Sequence, residues 1–132
     1  MHRNQTEKER LLDPDILNHA YSQFFLFVSE FVGEKKSKEF ARQSYQTTEK
    51  YYSGISDIVV DDKNRIRLKK IEITDREILG FSIWMHQFIV ELKKYMVGIG
   101  KVDPNTILGK WSDPLKPTGF FEYFKQAKDL KY

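Results

Sequence analysis

The sequence predicts a mainly α fold, a four- to five-helix bundle with a β-hairpin inserted at about residues 57–69. Three observations predict it. Large apolar side chains recur at three- and four-residue intervals in several separate stretches. Residues that start and stop helices bracket those stretches. One segment between them breaks the rhythm and alternates polar with β-branched or apolar residues, as a half-buried strand does.

Residues 1–12 are mostly polar and charged, with nothing apolar in rhythm before Leu11 and Leu12, and read as a mobile N-terminal leader. Residues 13–132 then read as one helical domain, since a chain of 132 residues is the usual size for a single core. The first helix starts at Asp13-Pro14-Asp15: an acceptor for orphan amides, a ring suited to the first helical position, and a carboxylate facing the positive end of the dipole. It carries Leu17, Ala20, Tyr21, Phe24, Val28 and Phe31 on one face, widened by Phe25 and Phe27, and stops near Val32 at Gly33. Glu34-Lys35-Lys36 reads as a connector. Ser37 is the expected cap of a second helix with Phe40, Ala41, Tyr45 and Thr48 inward, closed after Tyr52 by Gly54. The short connection predicts an antiparallel helical hairpin.

Ile58-Val59-Val60, the turn-forming Asp61-Asp62-Lys63-Asn64, and the alternating Arg65-Ile66-Arg67-Leu68-Lys69 predict the β-hairpin. Two strands alone are marginal in water, so its Ile66 and Leu68 face must lean on the helices or pair with another chain. Thr74-Asp75-Arg76-Glu77 is a capping box. The helix it opens places Ile78, Phe81, Met85, Phe88, Ile89, Leu92 and Met96 on one continuous face and ends at Gly98 or Gly100. Asp103-Pro104 starts a short turn that Gly109 ends, and Trp111, Pro114 and Pro117 suggest an irregular crossing. Thr118 is the expected cap of a last helix with Phe120, Phe121, Phe124, Ala127 and Leu130 inward.

Composition excludes more chemistry than it suggests. No cysteine is present, which removes disulfides, thiolate metal sites and a thiol nucleophile. The excess of 22 basic over 19 acidic side chains is a solubility-level charge spread along the chain. His2, His19 and His86 stand too far apart for a local ligand motif, and Asp57, Asp61 and Asp62 lack the oxygen spacing of a calcium loop. No glycine-rich phosphate loop or nucleophile elbow occurs. The expectation is a non-enzyme with no cofactor and no metal. With no secretory leader and no apolar run long enough for a bilayer, cytoplasmic residence is expected.

Three functional readings follow. The first is a protein-interaction or regulatory module, expected to associate with itself as a homodimer. Ten Phe, seven Tyr and two Trp strain what one small core can hide. The second is nucleic-acid binding along a basic strand of Arg65, Arg67, Lys69 and Lys70, where alternation puts the first three on one face. The same row also serves to guard an edge strand against aggregation. The third is a small-molecule sensor with a pocket or interface at Trp84, Met85, Phe88 and Trp111. His86, beside the apolar face of its helix, is either a partly buried structural residue or a polar group in a site.

Overall fold

The computed structural model describes residues 14–69 and 73–128. The predicted leader, the Asp13 cap, Lys70 and Leu130 lie outside the described residues. The fold is mainly α, with one small two-stranded antiparallel hairpin.

Helix α1 spans Pro14–Tyr51 and is broken at Gly33, whose φ of 83° and ψ of 168° are open almost only to glycine. A straight helix would hold Tyr21 and Tyr45 about 36 Å apart, at 1.5 Å per residue. Both rings instead stand beside the same indole, 5.1 Å and 5.2 Å from Trp84. The two arms therefore fold back on each other, which is the predicted helical hairpin, turned on one residue. Two expectations are corrected. Glu34, Lys35 and Lys36 are helical, not a connector, and Ser37 is not an N-cap. Ser37 is buried in the first turn after the break, where its hydroxyl donates to the Gly33 carbonyl (2.7 Å) and accepts from Ser29 (3.0 Å). Leu17, Ala20, Tyr21, Phe24 and Val28 are buried as their spacing predicts, whereas Phe31 is 42% exposed.

A 3₁₀ turn, Ser53–Asp57, leads into strands β1 (Ile58–Val60) and β2 (Ile66–Leu68), paired Ile58 to Leu68 and Val60 to Ile66. The hairpin leans on α1 of its own chain. The Asn18 side-chain amide acts as a third strand would, accepting from the Ile66 amide (2.6 Å) and donating to its carbonyl (2.9 Å). Tyr21 donates to Asn64 in the turn (2.7 Å), and Tyr45 donates to the carbonyl of Ile58.

Helix α2 spans Asp75–Tyr95. Its capping box is present: the buried Glu77 carboxylate accepts from the Thr74 amide (2.8 Å) and hydroxyl (2.7 Å). This helix is buried on most of its circumference, including Ile78, Phe81, Ile83, Trp84, Met85, Phe88, Ile89 and Leu92, and is the axis of the core. It ends at Tyr95, ahead of the expected glycines.

Helix α3 (Pro104–Leu108) starts on Asp103, whose carboxylate accepts from the Asn105 amide at 3.0 Å. The expected irregular crossing is instead a run of helical turns: 3₁₀ at Gly109–Trp111, α4 at Ser112–Leu115 and 3₁₀ at Lys116–Thr118. Pro114 and Pro117 fit because each falls in the first turn of its element, where no amide donor is required. Helix α5 spans Phe120–Ala127. Gly119, at φ 92°, occupies the cap position expected for Thr118, which stands one residue further out and accepts from the Phe120 amide at 3.2 Å. Both arms of α1, the hairpin, α2, α3, Leu115 and α5 contribute to one continuous core.

Candidate ligand cleft

The residues proposed from sequence for a pocket do not come together in one. Trp84, Met85 and Phe88 are fully buried core. Trp84 is locked by Tyr21, Tyr45 and Phe81, and its indole N–H is shared between the Ala41 carbonyl and the Ser44 hydroxyl, both at 3.1 Å. Trp111 lies elsewhere, half-buried, its ring stacked 3.8 Å from His19 at an interplanar angle of 5°, with the Lys110 ammonium 5.3 Å from its centroid.

On the basic strand, Arg65, Arg67 and Lys69 are exposed, as alternation predicts. The middle cation is not free for a phosphate, because Arg67 donates to Asp61 at 2.8 Å. The Asp61 carboxylate also accepts from the amides of Arg65 (3.0 Å) and Lys63 (2.9 Å), and these bonds hold it below the usual carboxylate range. The turn thus carries its own counter-charge into the row.

The larger open feature lies between α2, α5 and the segment ahead of α3. Helix α5 tracks α2 in the same direction: Phe120 packs on Phe81 (5.9 Å between centroids) and, one turn on, Phe124 meets His86 edge to face (5.3 Å). One further turn brings Lys128, just past the end of α5, to about the level of Val90 on α2. The cleft so formed has a volume of about 790 Å³. Its apolar floor is Ile89, Val90, Phe121 and Phe124, and Val102 with Pro104 closes one side. Lys93, Lys101, Lys125 and Lys128 stand around it, against one carboxylate, Asp103, already engaged in capping α3. Among the described residues none of the four lysines forms an ion pair.

His86 is half-buried in the cleft wall, and its Nδ1 is sealed with no hydrogen-bond partner among the described residues. Burial, and then the charges of Lys93 and Lys128, hold the imidazole below its ordinary 6.5. It is therefore neutral at physiological pH. The lining residues include no hydroxyl or thiol, and no group of three or more His, Cys, Asp or Glu among the described residues is placed to hold a metal ion. A smaller cleft of about 260 Å³, with Phe27, Phe31, Ile99 and Ile107, lies on the other side of the Lys101–Asp103 segment.

Sequence reasoning singled out His86 and Phe124 but missed Lys93, Lys101, Lys125 and Lys128 as a group. The signal that was available is helical spacing: Lys93 follows His86 by seven residues and Lys128 follows Phe124 by four, so each pair shares a face. What spacing does not carry is that α5 lies alongside α2.

The class of protein defined at this point is a mainly α chain with an inserted hairpin and a basic-rimmed cleft beside its central helix. Comparison with protein-family models, with curated proteins and with solved structures finds no match. Among the described residues no helix is long and apolar enough to cross a membrane.

Proposed function

We propose that this protein is a non-catalytic binding module and that the cleft between α2 and α5 is its recognition site, taking a small molecule whose flat apolar part lies on Ile89, Val90, Phe121 and Phe124. The observation that carries the reading is the cleft itself: about 790 Å³ falls within the range of roughly 300–1,000 Å³ typical of small-molecule sites. Its make-up fits too, an apolar floor with a few convergent polar groups. This reading takes up the third expectation from the sequence, a small-molecule pocket between helices, and moves it away from Trp84, Met85 and Phe88, where no space is open. It ranks above nucleic-acid binding because the Arg67 charge is neutralised inside its own turn.

The test uses N-phenyl-1-naphthylamine, an uncharged aromatic whose fluorescence rises on leaving water. The protein should bind it with a dissociation constant on the order of 10 μM, a strength ordinary for a ligand of that size. Val90→Glu and Phe121→Asp place a charge on the floor at half-buried positions and should each weaken binding about tenfold or more while the far-ultraviolet spectrum is unchanged. Absence of binding, or binding indifferent to both substitutions, overturns the reading.

A further inference from the structure

We infer that the occupant of this cleft is an organic anion, its charged head seated among His86, Lys93 and Lys128 and its apolar body on the α5 phenylalanines, and that it binds together with a proton taken up by His86. The inference rests on the cleft being the recognition site and adds the charge class of the ligand and its regulation.

Position is the first argument. His86 and Lys93 lie two helical turns apart on one face of α2, and Lys128 arrives from α5 one turn beyond the phenylalanine that touches His86. Both ammonium charges act on the imidazole. All three groups line the cleft together with the apolar Phe121 and Phe124.

Charge balance is the second. The charged groups that line the cleft with His86 are Lys93 on its own helix, Lys125 on α5 and Lys128 at its end, and Lys101 with Asp103 on the segment ahead of α3, and of these Lys93 and Lys128 act on the imidazole. Cations outnumber the single carboxylate four to one, so a neutral ligand leaves this field uncompensated and an anion compensates it. The C-terminal carbonyls of α2 and α5 also lie near Lys93 and Lys128 and oppose an anion. Their partial charges are smaller than the full charges of the lysines, so the preference is real but moderate.

The proton follows from the same field. Without an anion beside it, an imidazolium is opposed by burial and by two ammonium groups, and an anion can relieve the second of these. An anion seated between the lysines cancels their repulsion and favours the charged ring, so the solvent proton goes to the imidazole as the anion enters. Linkage fixes the sign: whatever raises proton affinity on binding makes binding tighter as pH falls. The change occurs at and below the ordinary histidine range, since the empty cleft holds His86 below 6.5.

The experiment compares two probes with the same rings, neutral N-phenyl-1-naphthylamine and 8-anilino-1-naphthalenesulfonate, whose sulfonate stays ionised throughout. Each is titrated fluorimetrically into the intact protein at about pH 8 and about pH 5.5, on either side of the histidine range. The sulfonate should bind about 3- to 10-fold tighter at the lower pH, while the neutral probe is indifferent to pH. His86→Gln should abolish that pH effect, bringing the ratio of the sulfonate affinities at the two pH values to about one. Replacing Lys93 and Lys128 together by alanine should weaken the sulfonate about tenfold more than it weakens the neutral probe. Equal affinities for the two probes, or sulfonate binding that ignores pH in the wild-type protein, overturns the inference while the cleft remains a binding site. Failure of both probes to bind overturns the cleft reading and the inference with it.

Discussion

Trp84 and His86 stand two residues apart on α2, about 200° around the helix from one another, and face opposite environments. On the Trp84 side the indole and its partners are answered, although Gln87 Oε1, about 60° round the helix, is buried with no partner among the described residues. The indole donates to Ala41 and Ser44, the Ser44 hydroxyl donates back to the Ala41 carbonyl at 2.9 Å, and three aromatic rings close around it. On the His86 side a ring nitrogen is sealed without a partner, four lysines lack counter-ions among the described residues, and phenylalanine edges line an open cleft. The first side is what stability asks for. The second spends stability, since a buried polar atom without a partner and a set of like charges both weaken a fold. The four lysines on the second side are what the proposed reading explains: a ligand anion would supply the counter-charge that the described residues do not.

The largest effect expected from this contrast is on stability. Trp84→Ala should lower the unfolding free energy by about 3–5 kcal/mol, the usual cost of emptying a large aromatic site from a core, and it removes the donor shared by the Ala41 carbonyl and the Ser44 hydroxyl, which keep their bond to each other. Urea denaturation followed by circular dichroism measures it. A loss below about 1 kcal/mol, the range of ordinary surface substitutions, would show that the Trp84 side is not the sealed one.

On the other side the effect is smaller and depends on pH. Because the fold holds His86 below 6.5, acidification protonates the unfolded chain first. The stability associated with the neutral ring is complete above about pH 6.5, is lost as pH falls toward the folded-state value, and then levels off. His86→Gln should flatten that part of the curve and leave stability near neutral pH little changed. Denaturant midpoints at several pH values between about 7 and 5 read it out. A wild-type curve already flat there, or a variant with the wild-type slope, contradicts the assignment.

How much of this was legible in the sequence follows the range of the interactions. The capping box at Thr74 and Glu77, the turn at Asp61 to Asn64, and the apolar stripe of the first arm are local and were readable as they stand. Gly33 was readable as a stop but not as a hinge. Glu34 and Lys36 look like connector residues because they are polar, yet they belong to a resumed helix, where Glu34 pairs with Lys38 at 3.4 Å and Lys36 with Glu39 at 3.3 Å. The hydrophobic rhythm places Trp84, Met85 and Phe88 toward a neighbour without saying that the neighbour fits closely enough to leave no space. The cleft is the converse case. His86, Lys93, Phe124 and Lys128 are each unremarkable in the sequence, and only the side-by-side course of α2 and α5, a contact between residues about 40 positions apart, makes them a site.

The central claim is that α2 is closed on its Trp84 side and open to a ligand on its His86 side. Backbone amide resonances, followed by two-dimensional NMR during titration with N-phenyl-1-naphthylamine, test it most directly. Shifts should cluster at His86, Ile89, Val90, Phe121 and Phe124, with the Trp84 indole signal and the Ala41 and Ser44 amides unmoved. Shifts centred on Trp84, Ala41 and Ser44, or no shifts at saturating probe, would contradict it.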